Sequence, residues 1–200
     1  FFSTIFEYLI SDYNTASGKY AEYFTPQALS KAIAQILVKM SPVEDKIYEI
    51  YDPSAGSGSL VLHLANELGH GKFGNKARVY TQDISQKSSR FLRINMLLNG
   101  LKESLENIIE GDTLTTPAHF KQRGDNTSGL KHFDYITSNP PFKTDFSSTR
   151  DSIETMWSAT NRFFAGVPTI PNKKKDSMAI YLLFIQHILS PPIPLLQLFL

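Results

Sequence analysis

A glycine-rich turn between a predicted strand and a predicted helix is the feature that most constrains the fold of this chain. Residues Lys46–Tyr51 alternate apolar and polar side chains, as a strand does, and helical periodicity covers Leu60–Leu68. Between them lies the turn Asp52-Pro53-Ser54-Ala55-Gly56-Ser57-Gly58-Ser59. Glycine lets the backbone approach a ligand closely, and the start of a helix presents free N–H groups. The stretch therefore predicts a nucleotide-type site in an α/β fold of the doubly wound, Rossmann-like type.

The positions around the glycines narrow the choice of ligand. A dinucleotide-binding turn needs Gly or Ala where this chain has Val61. A Walker phosphate loop needs Lys-Ser or Lys-Thr after the last glycine, and neither pair follows Gly58. Both readings are therefore disfavoured, and a turn with a purely structural role stays open as an alternative.

Two further predicted strands end next to acidic residues. Ala77–Thr81 is followed by Asp83, and Asn107–Glu110 is followed by Asp112. A carboxylate at such a strand end can accept the hydroxyl groups of a ribose, but it can also cap the helix that follows. Both alternatives stay open for Asp83, whereas Asp112 is a candidate either for contact with an adenine amino group or for the cap of its own turn.

Two amphipathic helices are predicted beside these strands. The first has apolar residues at helical spacing from Ala28 to Met40, with Thr25 as its N-cap and Pro26 at its first position. The second covers Gln86–Asn99. We expect its apolar side to face the core, and this side consists of Phe91, Ile94, Leu97, Leu98 and Leu101. We expect its polar side, with Arg90, Arg93 and Asn95, to face solvent.

The predicted fourth strand, Phe133–Thr137, leads into Ser138-Asn139-Pro140-Pro141-Phe142. Each proline ring fixes φ near −65° and removes an N–H, so the Asn139 amide and the Pro140 carbonyl are held in a set direction. Two acceptors held side by side suit an amino group. Phe142 is placed to stack on the ring that carries this group.

Together these motifs resemble those of the modification subunits of type I restriction-modification systems, which are DNA adenine-N6 methyltransferases. Asp-Pro-x-x-Gly-x-Gly resembles their S-adenosylmethionine loop, Asn-Pro-Pro-Phe their catalytic motif, and Tyr-Phe-Thr-Pro ahead of the loop a segment that closes over the cofactor. The catalytic residues that the resemblance implies are Asn139, Pro140, Pro141 and Phe142. The implied cofactor-binding residues are Tyr23, Phe24, Thr25, Pro26, Asp52, Ala55, Gly56, Ser57, Gly58, Asp83, Asp112 and Asn139.

The resemblance also implies the substrate and the partners. The substrate is an adenine flipped out of double-stranded DNA, and the partners are a specificity subunit and a restriction subunit. The formal net charge of only +1 fits a chain whose grip on DNA comes partly from another subunit. A cytoplasmic location is expected. Amino-methylation of a protein glutamine or an RNA guanine is the alternative reaction, and a truncated remnant without activity is the alternative of another class.

Composition excludes several other chemistries. There is no cysteine, which removes disulfides, cysteine zinc sites and a cysteine nucleophile, and so counts against methylation at cytosine C5. The five histidines show no spacing of metal ligands, and no metal site is predicted. The apolar end, residues 180–200, is interrupted by three prolines and by several polar residues, so a membrane-spanning helix is not expected.

The domain organisation is predicted as a helical extension at 1–20, a partial catalytic domain at 21–189 and a proline-rich apolar tail at 190–200. Because prolines do not form central strands, we expect the C-terminal strands of the sheet to be missing and the strand before Asn139 to lie at an uncovered edge. Residues 121–131 are expected to form a polar loop, 143–175 an irregular excursion and 176–189 a helix. Candidate contacts with DNA phosphates in the excursion are Lys143, Arg150, Arg162, Lys173, Lys174 and Lys175.

Overall fold

The computed structural model describes residues 5, 8, 9, 12, 25–41, 44–69, 74–122, 124–141, 145–157, 162–163, 166–169 and 197–199. The chain divides into two compact units. The first comprises Phe1–Gly111, Phe133–Asn139 and Leu195–Leu200, and the second comprises Asp112–His132 and Pro140–Pro194. The predicted helix at 176–189 and the lysine run lie outside the described residues.

The described elements confirm the predicted alternation of strands and helices. The strands are β1 (Tyr48–Asp52), β2 (Ala77–Asp83), β3 (Ile108–Glu110), β4 (Phe120–Gln122), β5 (Asp125–Leu130), β6 (Tyr135–Ser138) and β7 (Gln197–Phe199). The helices are α1 (Gln27–Met40), α2 (Ser59–Glu67), α3 (Gln86–Leu98) and α4 (Arg150–Trp157), with a 3₁₀ helix at Lys102–Asn107. The observed bounds of β1, β2, β3, β6, α1, α2 and α3 differ from the predicted ones by at most two residues at either end.

The first unit contains a five-stranded parallel sheet with the order β3-β2-β1-β6-β7. The chain moves outward from β1 to β3 and then returns to the other side of β1 with β6. In sheets of this kind, ligands bind in the crevice outside the carboxyl ends of the two strands at which the order reverses. Here those strands are β1 and β6, which pair with Ile50 opposite Tyr135 and Tyr51 opposite Ile136.

One apolar core joins the sheet to α1, α2 and α3. The strand residues Ile50 and Val79 are paired across β1 and β2 and are fully buried. Leu37 of α1, Leu64 of α2 and Met96 of α3 belong to the same core and are also fully buried. Burial of these side chains is what fixes the strand ends in place, because each contributes about 1.5–3 kcal/mol relative to an exposed position.

The orientation of α3 differs from the prediction. Its buried face consists of Ser88, Ser89, Leu92, Asn95 and Met96, whereas Ile94, Leu97 and Leu98 are exposed. The reason lies in the contacts of the inner face, since Asn95 donates to the Ser57 carbonyl oxygen and Leu92 packs next to Gly58. A specific polar contact with the glycine-rich turn has overridden the hydrophobic pattern.

The sheet edge next to Asn139 also differs from the prediction. Gln197–Phe199 forms β7 and pairs in parallel with β6, with Ile136 opposite Gln197 and Ser138 opposite Phe199. The strand that leads into Asn139 is therefore paired on both sides. The prolines that were expected to prevent a strand, at positions 191, 192 and 194, precede β7 and remove no N–H from it. The division of the chain at 1–20, 21–189 and 190–200 stays a prediction.

The second unit is more regular than the sequence suggests. Residues 121–131 were expected to be a loop, but β4 and β5 form an antiparallel two-stranded sheet, and α4 lies inside the expected irregular excursion. A small core comprises Leu114, Phe146, Ile153 and Phe163.

Arg162, a predicted phosphate contact, is buried and donates to the Thr113 and Leu114 carbonyl oxygens at 2.6 and 2.8 Å. This prediction is wrong, because the guanidinium is committed to backbone carbonyls. Arg150 pairs with Glu154 at 2.9 Å and also donates to the Pro168 carbonyl oxygen.

None of the described helices is long and apolar enough to cross a membrane.

Candidate active site

The glycine-rich turn leaves β1 and is held by hydrogen bonds to both neighbouring elements. The Ala55 N–H donates to the Gln82 carbonyl oxygen of β2 at 3.2 Å, and Asn95 Nδ2 of α3 donates to the Ser57 carbonyl oxygen at 3.0 Å. Within the turn, the Gly58 N–H donates to the Ala55 carbonyl oxygen at 2.8 Å. The turn is thus a fixed structure rather than a free loop.

Gly58 marks the point at which α2 begins. Its φ of +90° lies in the left-handed region, which residues other than glycine rarely adopt. A Cβ at this position would overlap Leu92 Cδ1 of α3, which is itself buried. Both the conformation and the close approach of α3 therefore require glycine here.

Asp83 ends β2, and its carboxylate accepts two backbone hydrogen bonds. Oδ2 accepts from the Gly56 N–H and Oδ1 from the Ser85 N–H, both at 2.8 Å. Asp83 is not the N-cap of α3, because Ser85 is the N-cap and accepts from the Ser88 N–H. Burial raises the pKa of Asp83, and the two backbone N–H groups oppose this shift. The carboxylate links the glycine-rich turn to the end of β2.

Asp52 is the last residue of β1 and is almost completely buried. Its Oδ1 accepts from the Ser54 N–H at 2.9 Å. Burial raises the pKa of Asp52 to about 8, and the nearby charge of Asp83 adds to the shift, whereas the hydrogen bond from Ser54 opposes it. At neutral pH this carboxyl group is mostly protonated.

A pair of hydroxyl groups joins the turn to β6. Ser54 Oγ and Ser138 Oγ are 2.7 Å apart, a hydrogen bond between residues that are 84 positions apart in sequence. Ser138 is buried and directly precedes Asn139. The glycine-rich turn and Asn139 therefore lie together at the point where the strand order reverses.

Asn139 also reaches the segment before α1. Its Nδ2 donates to Thr25 Oγ1 at 3.2 Å. Thr25 was predicted as the N-cap of α1, but Pro26 occupies that position and its carbonyl oxygen accepts from the Leu29 and Ser30 N–H groups. The prediction is wrong because the Thr25 hydroxyl is directed to the Asn139 amide instead of to the backbone of its own helix.

The remaining predicted residues fall in two groups. Asp112, Pro140 and Pro141 belong to the second unit, where Asp112 Oδ1 accepts from the Leu114 N–H at 2.9 Å and so caps its own turn. Pro140 is buried and Pro141 is exposed. Tyr23, Phe24 and Phe142 lie outside the described residues. The described part of the chain contains no group of three His, Asp or Glu side chains that could hold a metal ion.

Sequence reasoning missed the two contacts that bring the motifs together, Ser54 with Ser138 and Thr25 with Asn139. Each joins residues more than 80 positions apart, and no local pattern in the sequence identifies the partner of either side chain. Ser54 and Ser138 lie inside or beside motifs that were recognised, so their position is the signal that could have suggested them.

Comparison with known proteins decides the family. The family model described as N-6 DNA Methylase matches residues 1–192 of the 200. This chain belongs to the N-6 DNA methylase family. A relative, the type I restriction enzyme MpnII methylase subunit of Mycoplasma pneumoniae, is 32% identical over 189 residues, which cover 94% of this chain and 32% of the relative.

Solved structures agree with this family and fold. The type I restriction-modification system methyltransferase subunit from Streptococcus thermophilus matches with a TM-score of 0.63 and 26% identity, over 91% of this chain and 35% of that chain. A modification subunit of a putative type I restriction enzyme from Vibrio vulnificus shares the fold, with a TM-score of 0.59 and 18% identity over 94% of this chain and 34% of that chain. This chain therefore spans about a third of the length of the methylase subunits that it matches.

Proposed function

We propose that this chain carries the catalytic site of a DNA methyltransferase that transfers a methyl group from S-adenosylmethionine to N6 of adenine, as part of the modification subunit of a type I restriction-modification system. The observation that carries the proposal is the 2.7 Å hydrogen bond between Ser54 and Ser138. It brings a cofactor-type turn and a candidate amine-binding residue, Asn139, together at the switch point of a parallel sheet.

The residues around the turn fit the proposed cofactor. Gly56 and Gly58 leave the backbone of the turn accessible at two positions, and the start of α2 follows directly. Asp83 supplies a carboxylate at the end of β2, where a ribose hydroxyl can donate to it. When bound, S-adenosylmethionine supplies an electrophilic methyl group on a cationic sulfur. The carboxyl groups of Asp52 and Asp83 have raised pKa values. A nearby cation favours the ionised form of a carboxyl group, so the bound cofactor would help both groups to ionise.

Asn139 is the proposed residue for the adenine amino group. Its Nδ2 is engaged by Thr25, so its Oδ1 is the atom left to accept a hydrogen bond from the amino group. The Pro140 carbonyl, which follows in the chain, is the proposed second acceptor. Two acceptors turn the nitrogen lone pair out of conjugation with the ring, which makes the nitrogen a better nucleophile. Holding the amine in place and preparing its lone pair is the main catalytic contribution expected of the protein.

The specificity and restriction subunits are the proposed partners. Two relatives carry names that assign them to type I systems. A net charge of +1 fits a chain whose affinity for DNA comes partly from another subunit, because a phosphate backbone is bound mainly through lysine and arginine.

The experiment that tests this function measures transfer of a labelled methyl group to DNA, with the product digested and N6-methyladenine identified by mass spectrometry. The chain is assayed alone and together with a specificity subunit. We expect N6-methyladenine in the second case and little or none in the first.

A chain that binds S-adenosylmethionine in calorimetry but methylates no DNA with any partner would be a remnant without activity. A methylated glutamine or a methylated RNA guanine in place of N6-methyladenine would assign the site to another amino-methyltransferase.

A further inference from the structure

We propose that Thr25 is a positioning residue, which accepts a hydrogen bond from the Asn139 side-chain nitrogen and so holds the amide with its oxygen left for the amino group of the substrate. The proposal rests on the proposed function, since the substrate amine is part of it. It arises from the 3.2 Å contact between Asn139 Nδ2 and Thr25 Oγ1, which joins residues 114 positions apart.

A primary amide can bind in two orientations related by a half-turn about its last bond. In one the oxygen points to the substrate and the NH2 group points away, and in the other the two are exchanged. Only the first presents an acceptor to a substrate amine. In the second, two NH2 groups would face each other, and neither could accept. The catalytic role of Asn139 therefore depends on what its NH2 group binds.

The amino group of the substrate favours the first orientation because it needs an acceptor, and Thr25 is well placed to hold the amide there. It is buried, with 9% of its surface exposed, and it directly precedes Pro26, whose fixed φ holds the chain as it enters α1. Its hydroxyl is not used as a helix cap, because α1 begins with no side-chain cap. The oxygen is thus held at a defined position by the backbone and accepts from Asn139.

The other neighbour of this segment fixes the remaining geometry. Ser138, one residue before Asn139, is held by its hydroxyl to Ser54 at 2.7 Å. The backbone at Asn139 is therefore constrained on the side of the turn, and Pro140 constrains it on the other side. With the backbone held on both sides, the freedom that remains at Asn139 is that of its two side-chain torsions, and the contact with Thr25 restricts them.

The test compares two substitutions that differ only in the hydroxyl. Thr25→Val keeps the shape and removes the hydroxyl, whereas Thr25→Ser keeps the hydroxyl and removes a methyl group. Thr155→Val is the control, because Thr155 is an exposed threonine on α4 whose hydroxyl donates to the Asp151 carbonyl oxygen one turn earlier. Each variant is assayed as the complex with a specificity subunit, at saturating S-adenosylmethionine.

We expect Thr25→Val to lower kcat by roughly 3- to 10-fold, which is the loss of one hydrogen bond of ordinary strength. If Thr25 acts only on Asn139, the dissociation constant for S-adenosylmethionine stays within about twofold of wild type. A rise that matches the loss of kcat would assign Thr25 the cofactor contact that the resemblance implies and would overturn the proposal. Thr25→Ser should restore kcat, and Thr155→Val should leave it unchanged. In an Asn139→Ala background, Thr25→Val should have no further effect, because the group that Thr25 orients is gone.

A second readout is independent of activity. The side-chain NH2 resonances of Asn139, observed in ¹⁵N-labelled protein of this chain length, report the hydrogen bond directly. We expect them to move in Thr25→Val and to return to the wild-type position in Thr25→Ser. Unmoved resonances, or a kcat that is unchanged in Thr25→Val, would overturn the proposal, and equal losses in the Val and Ser variants would assign Thr25 a packing role instead.

The failure of this proposal is distinguishable from the failure of the proposed function. Wild-type protein that methylates DNA while Thr25→Val does so equally well overturns the role of Thr25 alone. Wild-type protein that methylates no adenine overturns the proposed function and, with it, the role of Thr25 in catalysis.

Discussion

At the scale of single residues, the most unusual group is the carboxyl of Asp52, because it is buried at the end of β1 with its pKa raised to about 8. A group of this kind makes folding depend on pH. In the folded chain it keeps its proton at pH values at which an unfolded aspartic acid has already lost it. Between the ordinary value of 3.8 and about 8, the folded state therefore binds more protons than the unfolded state.

The sign of the effect follows from this difference. The stabilisation that comes from the protonated group is complete below the unfolded pKa and is lost as pH rises through about 8. We expect Asp52→Asn to flatten the dependence, since the amide is neutral throughout and its oxygen still accepts from the Ser54 N–H. Urea unfolding of both proteins at pH 5, 7 and 8.5 measures how the free energy of unfolding depends on pH.

Two other groups also make the stability depend on pH. The pKa of Asp83 is raised like that of Asp52, and the pKa of His63 is lowered by burial and by the charge of Lys31. The unfolding free energies of wild type and variant are therefore compared at each pH, so that these contributions cancel. The free energy of unfolding of wild type minus that of Asp52→Asn should fall as pH rises. A difference that stays constant over this range would mean that the Asp52 carboxyl is ionised in the folded chain.

At the scale of elements, the close contact between the glycine-rich turn and α3 determines how the turn is presented. Gly58 and Gly74 have almost the same φ, +90° and +89°, but only Gly58 has Leu92 within reach of an added Cβ, whereas no atom lies within 4 Å of one added at Gly74. We expect Gly74→Ala to cost about 1 kcal/mol of unfolding free energy from the backbone alone. Gly58→Ala should cost a further 1–3 kcal/mol or so from overpacking.

Thermal and urea unfolding of the two alanine variants gives the difference directly. Leu92→Ala is destabilising by itself, because Leu92 is buried in the core, but the combined loss of Leu92→Ala and Gly58→Ala should be less than the sum of their separate losses, because the first removes the overlapping methyl group. If Gly58→Ala and Gly74→Ala are equally destabilised, the contact with Leu92 does not constrain the turn.

The elements also show what a sequence can and cannot reveal. The strand, turn and helix around Gly56 and Gly58 were predictable because local propensity, glycine spacing and the burial pattern agree there. The inner face of α3 was not, since the choice between Asn95 and Ile94 depends on a hydrogen bond to Ser57, 38 residues away. The position of Thr25 relative to Asn139 was hidden for the same reason.

At the scale of the whole molecule, the parallel sheet continues past β6. The pairing of β7 with β6 means that the backbone next to Asn139 has a partner on both sides. It was not predictable, because three prolines close to the end of the chain obscure a strand of only three residues. Pairing with a distant segment, rather than propensity, decides the structure of such a short strand.

Removal of residues 195–200 tests the importance of this pairing. We expect hydrogen exchange to become faster at those amides of Ile136, Thr137 and Ser138 that face β7, because they lose their acceptors. The amides of Ile50 and Tyr51 should stay slow, since β1 keeps both β2 and β6 as neighbours. Unchanged exchange throughout β6 would show that β7 adds nothing to the sheet in solution.

The central claim is that Asn139 and the glycine-rich turn form one site with two separable tasks. The most direct test measures S-adenosylmethionine binding by calorimetry and methyl transfer to DNA in the same preparations of wild type, Asn139→Ala and Asp83→Ala. We expect Asn139→Ala to keep the wild-type affinity and to lose transfer by about 100-fold or more, and Asp83→Ala to bind more weakly. Equal loss of binding and transfer in Asn139→Ala, or transfer that survives the substitution, would contradict the account.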